Sequence, residues 1–289
     1  MESQQYLRSE GPGPPAGTLV AIGGNEDKEN DLSILRTTVR LSTARNPLIA
    51  LITTASSVPE AMAGTYLKAF GAIGSNRVEV LHISTREEAA DEGMLAVVKE
   101  SDIVFFTGGD QLRITSIMGG LPVLTEVRRK FFTEDCVVAG TSAGASALSE
   151  TMIYEGESPE ALKKGTVQMT SGIGLLRKVV IDSHFIKRGR FSRLMEMVAG
   201  NPGIIGLGLG EDSGVIIRGG HHMEAIGQGL IVIFDGKTIA HSNIPNIEMG
   251  AAIAVNSVTV HTLVKGYGYD TLTREYILPG GHPRDPQGD

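Results

Sequence analysis

Short, largely apolar runs separated by helix-patterned stretches restrict the fold of this chain more than any other feature. The runs are Gly17–Ile22, Leu48–Ile52, Val78–Ile83, Ile103–Phe106 and Cys136–Ala139. Only Val78–Ile83 is interrupted by charged or imidazole side chains, at Glu79 and His82, so together the runs read as strands covered on both faces, the pattern of a parallel sheet. The stretches between them fit helices. Asp31–Leu41 places Leu32, Leu35 and Val39 at helical spacing, Glu60–Ile73 and the acidic Arg86–Glu100 come next, and another helix is expected after Gln111. Parallel neighbours need crossover connections long enough for a helix, and these are almost always right-handed. The expectation is an α/β fold: a single layered domain whose largely parallel central sheet is flanked by helices.

The rhythm changes after Glu150. Val179–Ile181, Gly203–Leu209, Gly214–Ile217, Leu230–Phe234 and Ala251–Val264 read as strands, and only Arg190–Val198 reads as a helix between them. Mixed or antiparallel pairing is expected there, with a hairpin turn at Phe234-Asp235-Gly236-Lys237. Met1–Ala16 and Pro279–Asp289 are rich in Pro and Gly and are expected to be a disordered arm and a loose tail. Residues 17–278 are then expected to form one α/β domain, with no internal repeat.

Composition removes several function classes. The net charge is −7, no Lys/Arg-rich run is present, Trp is absent and aromatics are 5% of 289 residues. Neither a phosphate-binding face nor a stacking platform for nucleic acid is expected. One cysteine, Cys136, excludes an internal disulfide and fits a reducing compartment. With only scattered histidines beside it, zinc is not expected, nor any other metal or cofactor. Gly23-Gly24 meets neither G-x-G-x-x-G nor a P-loop pattern. The N-terminus has no signal-like apolar core and no apolar stretch approaches 18 residues, so a cytoplasmic protein without membrane spans is expected.

The chemistry gathers at the ends of predicted strands. Gly140-Thr141-Ser142-Ala143-Gly144 joins the apolar run at Cys136 to a helix-compatible stretch. It matches G-x-S-x-G, where small residues let the chain turn sharply and lift the serine above the sheet. Two readings stand: a tight structural turn, or a nucleophile. A nucleophilic serine needs a base, and the base an orienting acid. Of seven histidines, His184 comes directly after the strand Val179–Ile181, in Asp182-Ser183-His184-Phe185. His82 reads as a strand histidine, His221 and His222 as a surface turn. For the acid, Glu211 and Asp212 end the glycine-spaced run Gly206–Gly210. Without the serine, the first would read as a solvated basic turn and the second as an exposed acidic one.

Thr107-Gly108-Gly109-Asp110-Gln111, Gly140–Ala145, Asp182–Phe185 with Arg188–Arg193, and Gly208–Asp212 resemble, in order and spacing, the blocks of cyanophycinases. The loop Ala21–Lys28 is similar as well, and the likeness runs from about Gly17 to Val264. Cyanophycinases are serine peptidases related to dipeptidase E. They cut cyanophycin, a polyaspartate carrying arginine on each β-carboxyl, into β-Asp-Arg dipeptides. The resemblance implies Ser142 as nucleophile, His184 as base, Glu211 as acid, and the Gly109 and Ala143 N–H groups as the oxyanion hole. It implies a substrate pocket at Gln111, Asp182, Ser183, Arg188, Arg190 and Arg193, and suggests a homodimer. Arginine forks suit the substrate's carboxylates, and a carboxylate such as Asp182 suits its guanidinium. Ser183 stands where the family usually has glutamine, which implies a pocket altered at that position. An α-aspartyl dipeptidase and a non-catalytic cyanophycin-binding protein are the alternatives.

Overall fold

The protein is described here by a computed structural model covering residues 13–156 and 162–281. The expected arm and tail, and His282 with them, lie outside these residues apart from 13–16 and 279–281. The elements in chain order are β1 (Thr18–Ile22), α1 (Ser33–Arg40), β2 (Ile49–Ile52), α2 (Pro59–Ala72), β3 (Val78–Leu81), α3 (Glu92–Glu100), β4 (Ile103–Phe106), α4 (Gln111–Met118), α5 (Pro122–Thr133), β5 (Val137–Thr141) and α6 (Ala143–Ala147). Next come β6 (Thr151–Glu155), β7 (Gln168–Ser171), β8 (Val179–Asp182), α7 (Phe191–Gly200), β9 (Ile205–Leu209), β10 (Ser213–Arg218), β11 (His222–Gly227), β12 (Ile231–Asp235), β13 (Thr259–Leu263), β14 (Gly268–Asp270) and β15 (Glu275–Ile277).

A nine-stranded sheet runs in the order β15-β14-β11-β10-β1-β5-β4-β2-β3. From β1 through β3 every pairing is parallel, and from β1 through β15 every pairing is antiparallel. The fold is therefore α/β with helices on both faces, and β1 is the seam between its parallel and antiparallel halves. Leu19 and Ala21 of β1 face a core with α3 to α6, while Val20 and Ile22 face α1 and α2. All four are fully buried, which is why β1 is apolar without alternation. Helix starts obey local chemistry. Asp91 and Asp110 cap α3 and α4 by accepting from Met94 N and Leu112 N, and proline opens α2 and α5.

The C-terminal half does more than add strands to the first sheet. β8, β9, β12 and β13 form a separate four-stranded sheet, parallel between β8 and β9 and antiparallel elsewhere. Its inner face joins the main core through Ile181, Leu207 and Ile233. Its outer face, with Val180, Val232 and Phe234, packs on Leu194, Met197 and Val198 of α7.

Three expectations change. No hairpin closes at Phe234–Lys237, because β12 continues into a long excursion before its partner β13. The Asp235 side chain accepts from Lys237 N, so this turn leads the chain away from the sheet. Tight antiparallel connections lie instead at Gly219–His221, between β10 and β11, and at Thr271–Arg274, between β14 and β15. The strand expected over Ala251–Val264 forms only at Thr259–Leu263. The helix expected after Gln111 is two helices, separated where Gly120 takes φ 74° and Pro122 starts α5.

Candidate active site

Five strands end at one place. The carboxyl ends of β1, β4, β5, β8 and β9 supply Gly23–Lys28, Gly108-Gly109, Ser142, His184 and Glu211. Crevices beyond the carboxyl ends of strands are where α/β sheets place ligands.

Ser142 sits on the turn between β5 and α6 with φ 53° and ψ −114°. The turn tolerates only small neighbours. A Cβ on Gly144 would lie 2.4 Å from the Phe106 carbonyl oxygen, and one on Gly140 would lie 2.6 Å from the Gly144 backbone. The serine Oγ is 2.9 Å from His184 Nε2, and His184 Nδ1 is 2.8 Å from Glu211 Oε1. Asn25 Nδ2 donates to the other Glu211 oxygen at 3.2 Å. The hydrogen bond to His184 holds the Glu211 carboxyl below the usual carboxylate range, burial opposes it, and Asn25 assists. Glu211 is thus an anion aimed at the imidazole, and the imidazole is aimed at the hydroxyl. Such a chain can remove the serine proton, keep one tautomer of the histidine, and balance the imidazolium that forms.

The backbone around these side chains is held in costly conformations. Among the described residues nine non-glycine positions have positive φ, and Asn25, Ser142, His184 and Asp212 are four of them. Strain gathered at one site is typical of functional centres. The β1 loop supplies much of the restraint. Ile22 O accepts from Ser142 N, Gly23 O from His184 N at 2.8 Å, and Gly24 O from Asp212 N at 3.0 Å. Gly24 must lack a side chain, because a Cβ there would lie 2.4 Å from His184 Nε2. Gly23 likewise has no room for a side chain, since a Cβ there would lie 1.9 Å from the Gly210 carbonyl oxygen.

Gly109 borders the cleft beside Ser142, and Ala143 opens α6, where a first-turn N–H has no acceptor within the helix. The remaining predicted positions divide. Asp182 is 2% exposed, and its carboxylate oxygens face Arg190 Nη1 at 2.9 Å and Arg193 Nε at 3.1 Å. Burial raises the Asp182 carboxyl, and the two guanidinium groups oppose that. Asp182 therefore holds the arginines of its own chain, with Arg190 also donating to Ser183 O and Arg193 to Gly156 O. Ser183 is buried and Arg188 exposed. Gln111 Nε2 donates to Ile153 O of β6 at 2.8 Å, so its amide is engaged.

Sequence reasoning missed Asn25, Glu26, Lys28, Tyr66 and Thr141. The cleft in front of Ser142, about 280 Å³, is lined by these residues together with Met62, the glycines and His184. Glu26 is 3% exposed, and its carboxylate accepts from Tyr66 Oη and from Thr141 Oγ1 at 2.7 Å, and meets Lys28 Nζ at 3.3 Å. The position of Glu26-Asp27-Lys28 just past a buried parallel strand was the available signal. Among the described residues no cluster of three or more His, Cys, Asp or Glu side chains is placed to hold a metal, and no helix is long and apolar enough to cross a membrane.

The family model for peptidase family S51 matches residues 19–225. A cyanophycinase of Trichormus variabilis is 33% identical over 264 residues, 91% of this chain and 88% of that one. One of Synechococcus elongatus is 32% identical over 267 residues, 91% and 83% of the two chains. The crystal structure of a peptidase from an acI-B1 actinobacterium superposes with a TM-score of 0.67 at 20% identity, covering 89% of this chain and 98% of that one, a likeness of fold.

Proposed function

The chain belongs to peptidase family S51 and is a serine-type peptidase, and from that premise we propose that it hydrolyses the polyaspartate backbone of cyanophycin to β-Asp-Arg dipeptides through an acyl-enzyme on Ser142. The observation that carries the mechanism is the hydrogen-bonded chain Ser142–His184–Glu211, at 2.9 and 2.8 Å. The observation that carries the substrate is cyanophycinase likeness over 91% of the chain.

The Ser142 hydroxyl gives its proton to His184 Nε2 as Oγ attacks the backbone carbonyl of an aspartyl unit whose side chain bears arginine. Negative charge builds on that carbonyl oxygen, and the Gly109 and Ala143 N–H groups meet it. His184 then protonates the departing amine, and the C–N bond breaks. A water deprotonated by His184 attacks the ester carbonyl, the bond to Ser142 Oγ breaks, His184 returns the proton to Oγ, and the acid product leaves. Glu211 stays ionised throughout and holds the imidazole by Nδ1. Arg188, Arg190 and Arg193 flank the substrate's carboxylates, with Asp182 fixing the last two in place.

Purified protein incubated with insoluble cyanophycin should clear the suspension and release a product with the mass of Asp-Arg, and Ser142→Ala should do neither. Clearing by both would overturn Ser142 as nucleophile. Clearing by neither, with turnover of α-aspartyl dipeptides by the wild type, would move the substrate to that class and point to Ser183 as the site of changed specificity.

A further inference from the structure

We propose that Lys28 is a substrate-binding residue that takes a carboxylate of the peptide in front of Ser142, held at its post by Glu26, Tyr66 and Thr141. This rests on the reading that the substrate is an aspartyl-arginine peptide, each unit of which carries a free carboxylate.

The argument begins with the cleft. Of the described residues lining it beside Ser142 and His184, Lys28 has the only ammonium or guanidinium group. The three basic residues assigned to the substrate above, Arg188, Arg190 and Arg193, come after β8 and are not among them. A carboxylate entering this part of the site therefore has Lys28 as its one permanent cation. An ammonium has three N–H donors. At the cleft floor one is donated to Glu26 O at 3.0 Å, and the ammonium forms an ion pair with Glu26 Oε1 at 3.3 Å. That leaves the ammonium N–H capacity for a ligand, and 19% of the side chain is exposed to receive one.

The post is rigid. Glu26 has a fully buried side chain, and Tyr66 Oη and Thr141 Oγ1 each donate to one of its oxygens. Thr141 immediately precedes Ser142, so the nucleophile and the Lys28 ammonium share one short chain of contacts. The Lys28 ammonium also lies 5.4 Å from the centre of the Tyr66 ring, an arrangement that favours a cation. Burial first, and Glu26 next, push the Tyr66 phenol well above its ordinary value, so it stays a neutral donor to Glu26. A buried carboxylate without its cation would be costly, which explains why the lysine is held in place rather than left loose at the rim. Glu26, Tyr66 and Thr141 are positioning residues. Of these four residues, Lys28 is the one that takes the carboxylate.

Two carboxylates could be the partner: the chain-terminal one, or that of the arginine on a unit beside the cut. Defined β-Asp-Arg oligomers distinguish them, with both carboxylates free, with the terminal one amidated, or with the arginine ones amidated. Lys28→Met should raise KM by roughly 10- to 100-fold on the free oligomer, the range for losing a hydrogen bond to a charged group, with a smaller effect on kcat. Amidation of the carboxylate that Lys28 reads should impose the same factor on the wild type and nothing further on Lys28→Met. Lys28→Arg should restore most of the affinity. Because Lys28→Met strands Glu26, the double variant Glu26→Gln/Lys28→Met, which removes the pair together, is measured beside it and should give the same amide-insensitive KM.

An unchanged KM in Lys28→Met, or a variant that still distinguishes acid from amide, overturns the proposal. Calorimetric binding of the β-Asp-Arg dipeptide and its amides to Ser142→Ala and Ser142→Ala/Lys28→Met reads the same contrast without turnover. If the wild type leaves cyanophycin intact, the function proposed above falls. The calorimetry then still decides Lys28: carboxylate-dependent binding lost with the lysine supports it, and equal binding of acid and amide overturns it.

Discussion

Glu211 shows how one hydrogen bond sets a residue's part in the site. It is partly exposed, yet its bond to His184 Nδ1 keeps the carboxyl below its ordinary range. Glu211→Gln preserves the shape but offers an amide where the imidazole needs an anion. Loss of the anion should lower kcat by on the order of 10⁴, with KM little changed. The lowered value fixes the sign of the pH effect. A carboxyl depressed by folding adds stability that is present above its unfolded value, and loses it as the pH falls through the folded one. The Tm gap between wild type and Glu211→Gln should therefore be constant near neutrality and shrink only under acid conditions, below the ordinary carboxylate range. A gap that instead widens on acidification would contradict the pairing. Cys136 provides the opposite case. It is the chain's one cysteine, 1% exposed, and burial pushes its thiol up to about 12. Thiol-directed alkylation of the native protein should leave activity intact and label nothing until the chain is unfolded. A serine-directed phosphonylating reagent should abolish activity.

Among the elements, the loop between β1 and α1 has the largest part in the site. Its carbonyls and that of Ile22 anchor Ser142, His184 and Asp212, Asn25 holds Glu211, and Asp27 shapes the turn into α1. The Asp27 carboxylate accepts from the N–H groups of Glu29, Asn30, Asp31 and Leu32, and those bonds hold it far below the usual range. Gly24→Ala would press a methyl against the imidazole and put alanine at φ 95°. The expected result is a fall in kcat of at least about 100-fold, the scale of a 1 Å misplacement, in a protein whose circular dichroism is unchanged. Retained activity would mean that the loop can move away from His184. The sequence revealed β1, β2, β4 and β5, because strands buried on both faces are unbroken apolar runs. It also placed Ser142, His184 and Glu211 past strand ends. It did not reveal that β8 and β9 leave the first sheet, since a buried run does not name its neighbour. β6 and β7 were hidden too: Thr151–Glu155 and Gln168–Ser171 mix polar with apolar residues and pair mainly with each other. Tyr66 was hidden for another reason. It lies at an apolar position of α2 and reads as core, while its hydroxyl reaches a glutamate 40 residues away.

On the scale of the whole molecule, the hydrogen-bonded chain Ser142–His184–Glu211 depends on two sheets keeping their register, because Ser142 lies past a strand of one and His184 and Glu211 lie past strands of the other. At the end remote from the site, Asp235 of β12 ties the sheets together. It accepts from the Tyr269 hydroxyl of β14 at 2.7 Å and pairs with Arg274, whose Nη2 also donates to Gly203 O. Burial pushes the Asp235 carboxyl up, but Lys237 N, Tyr269 and Arg274 together outweigh it and hold the group below its ordinary range. Burial, and then Asp235, raise the Tyr269 phenol. Tyr269→Phe removes one hydrogen bond to a charged acceptor at an otherwise unchanged ring, a loss of about 2 kcal/mol. Tm should fall by roughly 4–8 °C for a domain of this size. Asp235 faces Ile205, at the opposite end of β9 from Glu211, so kcat per folded molecule should not change. Both groups set the pH window. Stability from the depressed carboxyl is lost as the pH falls through its folded value, and stability from the raised phenol is lost as the pH rises past the ordinary tyrosine value. The Tm difference between Tyr269→Phe and wild type should therefore be greatest near neutrality and shrink toward both extremes. A difference independent of pH would mean that Tyr269 stabilises by packing alone, and that the sheets are held by their shared apolar core rather than by this polar tie.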